Sequence, residues 1–337
     1  MATELGLDTR YNLIDNLKLV QDGKYNPWAK TLTEHNPFLF DLAMVPANGI
    51  LSNEGSRETS LPTPQIVKVG DGHDSSTVRW DKYRNDISIF KDRASIPLDT
   101  YNLQPSKGAF RANVEDRHME GMGQGVTNHF IYGTSVASPE KFDGLDVRYN
   151  VPDATDPTDP ESSSSDAFVF DAGGTGDDTM SVWLIQHGID KIRGITPSSD
   201  PMMGIRKTDS GLVYANAEND KDRQELRTEF EWKIGLDIVD LRSVARIRNI
   251  ETAIANLDAN FMQLIFQAEQ EVFRGGGQIF AYVPKRMMTF LKIMAEAKQN
   301  VVYDSNNIYG IPLYRIGEIL IRKMDALLLT ETSVAAV

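Results

Sequence analysis

At 337 residues the chain can bury one large or two medium cores, and its 41% hydrophobic and 25% charged content is ordinary for a globular protein. Setting 35 basic against 48 acidic residues leaves a net charge of −13. That balance argues against wrapping duplex DNA on its own surface, because counterion release needs clustered lysine and arginine. The absence of cysteine excludes disulfides, cysteine zinc sites and thiol nucleophiles, and it suits a reducing cytoplasm.

The first residues, MATELGLDTRYNLID, lack a basic region followed by an apolar one, so no secretory signal is expected. No apolar run approaches the length of a membrane span. Residues 1–47 read as an arm. Leu13, Ile14, Leu17 and Val20 allow one or two helical turns before Asp22-Gly23. Phe38, Leu39, Phe40, Leu42 and Val45 then form a short apolar cluster bracketed by Pro37 and Pro46. Such a cluster cannot bury itself and needs another part of the fold or a neighbouring subunit.

Residues 48–105 are polar, with β-leaning pieces at Gln65–Val69, Thr77–Tyr83 and Ile87–Phe90, and turn chemistry at Gly70-Asp71-Gly72. Two strands alone are marginal, so this hairpin is expected to project as an extended loop held by contacts elsewhere.

Residues 106–250 open on a helix expected at about 108–132, with Phe110, Val114, Met119, Met122, Val126 and Phe130 along one face. Gly121, Gly123 and Gly125 sit in it at a cost of roughly 2–3 kcal/mol against alanine, which implies a neighbour packed close to the backbone. Tyr132-Gly133 stops it, and Pro139, Phe142, Gly144, Leu145, Arg148 and Tyr149 make an aromatic-bearing turn. Residues 151–178 are rich in proline, serine and aspartate, so regular structure is expected only at Ala167–Phe170. The clearest strand signal is Phe230, Trp232, Ile234, Leu236 and Ile238, alternating with polar residues over about 229–239. Met180, Val182 and Leu184, in a strand of about 180–187, offer it a partner.

Residues 251–337 carry strong local signals. Ile254, Leu257, Phe261, Leu264, Ile265, Ala268 and Val272 repeat as a helix closed by Gly275-Gly276-Gly277. Gln278–Val283 reads as a buried strand. Pro284 opens a helix faced by Met287, Leu291, Met294 and Lys298. Ile311–Leu313, Ile319–Ile321 and Ala326–Leu329 read as further strands.

The run ending Ile131-Tyr132-Gly133, then Phe142-x-Gly144-Leu145-x-x-Arg148-Tyr149, resembles the major capsid proteins of tailed bacteriophages. The similarity is to short-tailed phages of the epsilon-fifteen and Bordetella type. A second block from Glu229 to Ile250 and the strand-helix ending from Gly277 to Leu329 extend it.

The resemblance implies an α+β Hong Kong 97-like fold. Its parts would be an N-terminal arm (1–47), an extended loop lying across the adjacent subunit (48–105), a peripheral domain with a spine helix and long strands (106–250), and an axial domain (251–337). It further implies self-assembly into hexamers and pentamers of an icosahedral head that encloses double-stranded DNA without specific binding. Portal, scaffolding and cement proteins would be the other partners. The setting would be the virion, with synthesis and assembly in the host bacterial cytoplasm. Acidic charge suits such a wall. Arg242, Arg246 and Arg248 would pair with acidic residues of neighbouring subunits, and overlap would be noncovalent.

No residue set reads as catalytic, cofactor-binding or metal-binding, so no enzyme is expected. His118 and His129 stand eleven positions apart, about 16 Å along a helix, too far for one metal. Gly121-Met122-Gly123-Gln124-Gly125 has the wrong spacing and setting for a dinucleotide loop. Gly173-Gly174-Thr175-Gly176 lacks the phosphate-loop lysine and reads as a flexible linker. Asp153, Asp156, Asp159 and Glu161 lack the glycine of a calcium loop. Two alternatives remain open at this point: a nanocompartment shell of similar fold, distinguished by enclosed enzyme cargo, and an α+β hydrolase, distinguished by a discrete small oligomer with one deep polar pocket.

Overall fold

The computed structural model describes residues 20–21, 24–25, 34, 36–136, 138–152, 165–200, 204–217, 221–253, 261–272, 277–297 and 314–335. They divide into two units that interleave along the chain. The smaller takes the described residues before 34 together with Ile89–Val126 and Met202–Lys233. The larger takes Glu34–Ser88, Thr127–Pro201 and Ile234–Val337. In chain order the elements are β1 (Val20–Gln21), β2 (Lys24–Tyr25), α1 (Phe38–Asp41), β3 (Ala43–Pro46), β4 (Ser52–Ser60), β5 (Arg79–Pro97), α2 (Leu98–Leu103), α3 (Lys107–Tyr132) and α4 (Leu145–Arg148). There follow β6 (Val169–Asp171), β7 (Thr179–Gln186), β8 (Ile192–Thr196), β9 (Arg206–Ala217), β10 (Lys221–Ile238), β11 (Val244–Glu251), α5 (Phe261–Glu271), β12 (Ile279–Val283), α6 (Lys285–Ala297), β13 (Tyr314–Ile316) and β14 (Ile319–Lys323).

The larger unit is built on two sheets. The first runs β3-β8-β10-β5-β4 and uses the end of β10 and the start of β5. Ile234, Leu236 and Ile238 of β10 are buried, as their alternation demands, and Gly235 pairs with Ile195 of β8. A Cβ on Gly235 would lie 2.5 Å from the Asp86 carbonyl oxygen, so only glycine allows β5 this close.

The second sheet runs β13-β14-β12-β7-β11-β6. Here the structure corrects the expected pairing. β7 is flanked by β11 (Ala245↔Leu184) and β12 (Ala281↔Leu184), not by β10. The reason lies in its sequence, Thr-Met-Ser-Val-Trp-Leu-Ile-Gln, which is buried along its whole length. A strand apolar and buried on both faces belongs at a sheet centre, and β11 and β12 take both of its edges, leaving none for β10.

The main core lies under this second sheet. Phe261, Ile265, Ala268 and Val272 from the α5 stripe, with Met287, Phe290 and Leu291 from α6, pack on Met180, Val182, Leu184, Ala245, Ile247, Ile279 and Ala281. β12 and β14 are parallel, which requires a crossover between them, and α6 lies in that connection. The expected helical residues Ile254 and Leu257, the closing Gly275-Gly276, and the strand at Ile311–Leu313 lie outside the described residues. Ala326–Leu329 is not a strand. Its backbone donors turn to side chains instead, Ala326 N to Asn36 Oδ1 at 3.0 Å and Leu328 N to Tyr132 Oη at 2.9 Å.

The expected hairpin is also redrawn. Its strands are β4 and β5, joined in register from Ser52↔Asp86 outward, and Ile87–Phe90 continues β5 without a break. Gln65–Val69 is not a strand. Gly70, at φ +98°, turns the chain there, and the Asp71 N–H donates to the Lys68 carbonyl at 3.1 Å. The pieces were misplaced because β4, Ser-Asn-Glu-Gly-Ser-Arg-Glu-Thr-Ser, carries no apolar side chain to give a period.

In the smaller unit β9 and β10 form a long antiparallel ribbon from Arg206↔Glu231 to Ala217↔Lys221, with a bulge at Arg227/Thr228 and Gly211 at φ +68°. α3 contributes Phe110, Val114, Met122 and Val126 as its buried stripe. The glycines at 121, 123 and 125 do not behave as expected: a Cβ on any of them would meet no atom within 4 Å among the described residues. Replacing all three with alanine is therefore expected to stabilise the isolated subunit by about 2–3 kcal/mol through helix propensity alone. Denaturant unfolding of the unassembled chain measures this, and a loss of stability would contradict it.

Candidate functional site

The loop from Leu61 to Val78 leaves the hairpin with its apolar residues uncovered. Ile66 is 105% exposed and Val69 108%, and Leu61 and Trp80 are exposed too. The hairpin itself is held firmly at its base. Arg57 lies over the Tyr83 ring at 4.1 Å, donates from Nε to the Val239 carbonyl at 2.9 Å, and also bonds the Ile238 carbonyl. Tyr83 occupies the space where Gly55 has no side chain; a Cβ there would come within 2.4 Å of the ring.

Beneath the hairpin lies a buried carboxylate. Asp237 is fully enclosed and accepts from Asn53 Nδ2 at 2.7 Å, Asn85 Nδ2 at 2.6 Å and the Arg193 guanidinium at 2.8 Å. One charge with one cation and two amide donors meets the condition for tolerating a buried ion. Strands β4, β5, β8 and β10 each send one residue to this point.

A second buried charge is Arg246, 0% exposed. It stacks on Trp183 at 4.5 Å and donates to the Tyr149 carbonyl at 2.7 Å, to Glu331 Oε2 at 3.0 Å and to Asp146 Oδ1 at 2.6 Å. Arg248 bonds the Asn150 carbonyl at 2.6 Å and Arg242 bonds Asp240 at 3.0 Å. The expected pairing with neighbouring subunits is thus corrected for Arg246 and Arg248, which are buried and have their carboxylate or carbonyl partners within the chain, while Arg242 stays half exposed beside Asp240. Arg246 has no exposed surface, so its partners are internal.

The resemblance motif proves to be a packing device around these anchors. Gly133 and Gly144 meet backbone to backbone, Gly144 N donating to the Gly133 carbonyl at 2.8 Å, and a Cβ on Gly144 would strike the Ile131 carbonyl at 2.7 Å. Phe142 packs on Phe130 and His129 at 5.3 and 4.5 Å. Arg148 reaches Asn85 Oδ1 at 2.6 Å, and the Tyr149 hydroxyl donates to the Leu241 carbonyl at 2.9 Å. Gly174, taken for part of a linker, is pinned instead, its N–H bonding the Asn249 carbonyl at 2.8 Å.

In the smaller unit, buried Glu115 of α3 gathers Arg111 Nε at 2.9 Å, Thr228 Oγ1 at 2.7 Å and the Lys207 ammonium, while Arg111 also pairs with Asp209 at 2.7 Å. Burial by itself would raise the Glu115 carboxyl, but the bonds from Lys207, Thr228 and Arg111 hold it below its ordinary 4.5. A lowered folded-state value means stability present above pH 4.5 and lost as pH falls through the folded value. Glu115→Gln is accordingly expected to lower the unfolding midpoint at pH 7 and to narrow its gap to the native chain in acid. An equal difference at both pH values would contradict this.

His118, His129 and His187 pack against aromatic rings. His118 pairs with Asp92 at 2.7 Å and stacks on Phe230, inside a cleft of about 690 Å³. The cleft's other charges are also matched, Arg93 with Glu229 at 3.3 Å and Lys91 with Glu231 at 3.5 Å, so it presents no single sign to a ligand. His187 is pushed down to about 3 by burial and by Arg322, and so is neutral at pH 7. It meets the Tyr282 hydroxyl at 2.7 Å, which donates to Asp41 at 2.6 Å; Phe38 packs on both rings. That set fastens the short apolar cluster of α1, while Phe40 on its other side is 92% exposed. Among the described residues no group of histidine and carboxylate side chains could hold a metal, and no helix is long and apolar enough to cross a membrane. His35 and the residues Asp153, Asp156, Asp159 and Glu161 lie outside the described residues.

The fold is that of solved phage particles. The structure of bacteriophage Epsilon15 matches with a TM-score of 0.75 at 22% identity, covering 99% of both chains. The capsid of bacteriophage JBD30 matches with a TM-score of 0.52 at 9% identity, over 92% of this chain and 97% of that one. No curated protein matches the sequence. The family model of the major capsid protein GP7 matches residues 20–335, nearly the whole length, and the chain belongs to that family of phage capsid proteins.

Proposed function

We propose that this major capsid protein builds an icosahedral head by forming hexamers and pentamers around double-stranded DNA, and that it does so without catalysing a reaction. The observation that carries the reading is the exposed apolar loop around Ile66 and Val69, which has a charge-anchored hairpin behind it and no cover among the described residues. Side chains like these gain about 1.5–3 kcal/mol each when buried, and a closed lattice repeats that gain at every subunit. The family match supports this over a nanocompartment shell or a hydrolase.

In this reading residues 1–47 are an arm, 48–105 the extended loop over a neighbour, 106–250 the peripheral domain and 251–337 the axial domain. A neighbouring copy would approach the bare backbone at Gly121, Gly123 and Gly125. Portal, scaffolding and cement proteins are the further partners. Assembly takes place in the host bacterial cytoplasm, and the shell is held by noncovalent overlap. Expression followed by sedimentation and negative-stain microscopy tests the proposal. Large closed particles that boil to monomers in detergent are expected, and a discrete monomer or small oligomer under all assembly conditions would overturn it.

A further inference from the structure

The segment 326–335 is attached to the larger unit differently from every strand around it. It contributes no ladder beyond a single antiparallel bridge, Thr179↔Glu331. Its other fastenings are made by side chains or at isolated points, one after another along the segment. The Tyr132 hydroxyl accepts from Leu328 N at 2.9 Å and donates to Glu331 Oε1 at 2.7 Å. Arg248 donates to the Thr332 carbonyl at 3.2 Å. Ser333 N donates to the Gly176 carbonyl at 2.8 Å. The Asn249 amide copies a strand partner, accepting from Val334 N at 3.1 Å and donating to the Val334 carbonyl at 2.8 Å.

These contacts converge on one charge. Glu331 is buried, and its carboxylate accepts from Tyr132, Ser181 and Arg246 at once. With the segment lifted away, Arg246 would keep only half-exposed Asp146 as a carboxylate partner, beneath a sheet that is otherwise complete. Few apolar groups hold the segment down: Leu327 is buried and Leu329 packs against the edge of the main core, while Leu328 is exposed. Segments with few buried apolar contacts open separately from the core that carries them.

We propose that residues 326–335 are a strap that opens and closes as one piece on a folded body, and that only the strapped subunit is competent to join the shell. The second half rests on the shell reading above. The strap seats through Glu331, which follows Arg246 by 85 residues, so a chain still being made carries Arg246 without it.

Hydrogen exchange on the unassembled full chain, read by mass spectrometry, tests this beside particle yield. In the native chain, amides of 326–335 are expected to exchange together and faster than those of β12 and β14. Glu331→Gln keeps the side chain's size but turns an NH₂ toward donors. It is expected to speed exchange in 326–335 by roughly ten- to a hundredfold, leaving β12 and β14 unchanged, with particle yield falling in step. Asn249→Gly keeps the backbone, which sits at φ +57°, and removes the Val334 bonds together with one to Asp171 Oδ1 of β6; a smaller acceleration in 326–335, with β12 and β14 again unchanged, is expected. The proposal is overturned if the segment exchanges only with the whole sheet, if Glu331→Gln leaves nothing folded, or if an opened strap leaves particle yield intact. A native chain that forms no particles would count against the shell reading, while its exchange pattern would still decide whether the strap moves as a unit.

Discussion

Chains carrying Ile66→Asp together with Val69→Asp are expected to fold like the native subunit and to form almost no particles. Both side chains stand clear of the described residues, so their loss removes no contact with them. Surface changes of this kind stay within about 0.5 kcal/mol of native stability. At an interface the same changes forfeit about 3–6 kcal/mol of apolar burial per subunit, and add two carboxylates that resist desolvation. Lattice growth multiplies that deficit over many contacts, so the effect on yield should be near complete. Thermal melting of the unassembled chain and sedimentation of the assembled material read the two halves separately. Native particle yield from the double variant would remove the loop from the assembly surface.

The second large effect is on the subunit itself. Asp237→Ala is expected to cost about 3–5 kcal/mol, because it strands the Arg193 guanidinium and leaves two buried amides without an acceptor. A loss of that size is comparable to the whole stability of a marginal domain. Four strands meet at this carboxylate, so the damage should spread to the hairpin: the β4–β5 amides should lose protection before those of the α5–α6 core. Changing Asp237 to Asn restores the shape without the charge and should recover only part of the loss. Chemical unfolding of the isolated chain gives the figure, and a cost below about 1 kcal/mol would mean that water already reaches the site.

These three residues mark the boundary between what periodicity reveals and what it cannot. Ile66 and Val69 were visible in the sequence as part of a projecting hairpin, although the strand expected over Gln65–Val69 lies at Ser52–Ser60 instead. Asp237 looked like one more polar residue alternating along β10. Nothing local distinguishes it from Glu231 or Lys233, yet it is enclosed while they are not. Glu115, Glu331 and Arg246 were hidden in the same way. A faint signal existed for Arg246 and Arg248, because they sit among apolar residues of β11 that are buried on both faces. That setting argues for enclosed ion pairs and against a surface role.

The sequence alone established the long helix from Lys107 to Tyr132, the stripes of α5 and α6, the strand at the end of β10 and the absence of thiol chemistry, all of which follow from residue type and short-range spacing. Its motif of glycines and aromatics also carried the family. Tertiary structure alone decided that β7 joins β11 and β12, that the arginines find their partners at home, and that the tail fastens through Glu331. The physical reason is that a repeat of two or 3.6 residues states which side of an element must be covered. What covers it is chosen by contacts between residues far apart in the chain.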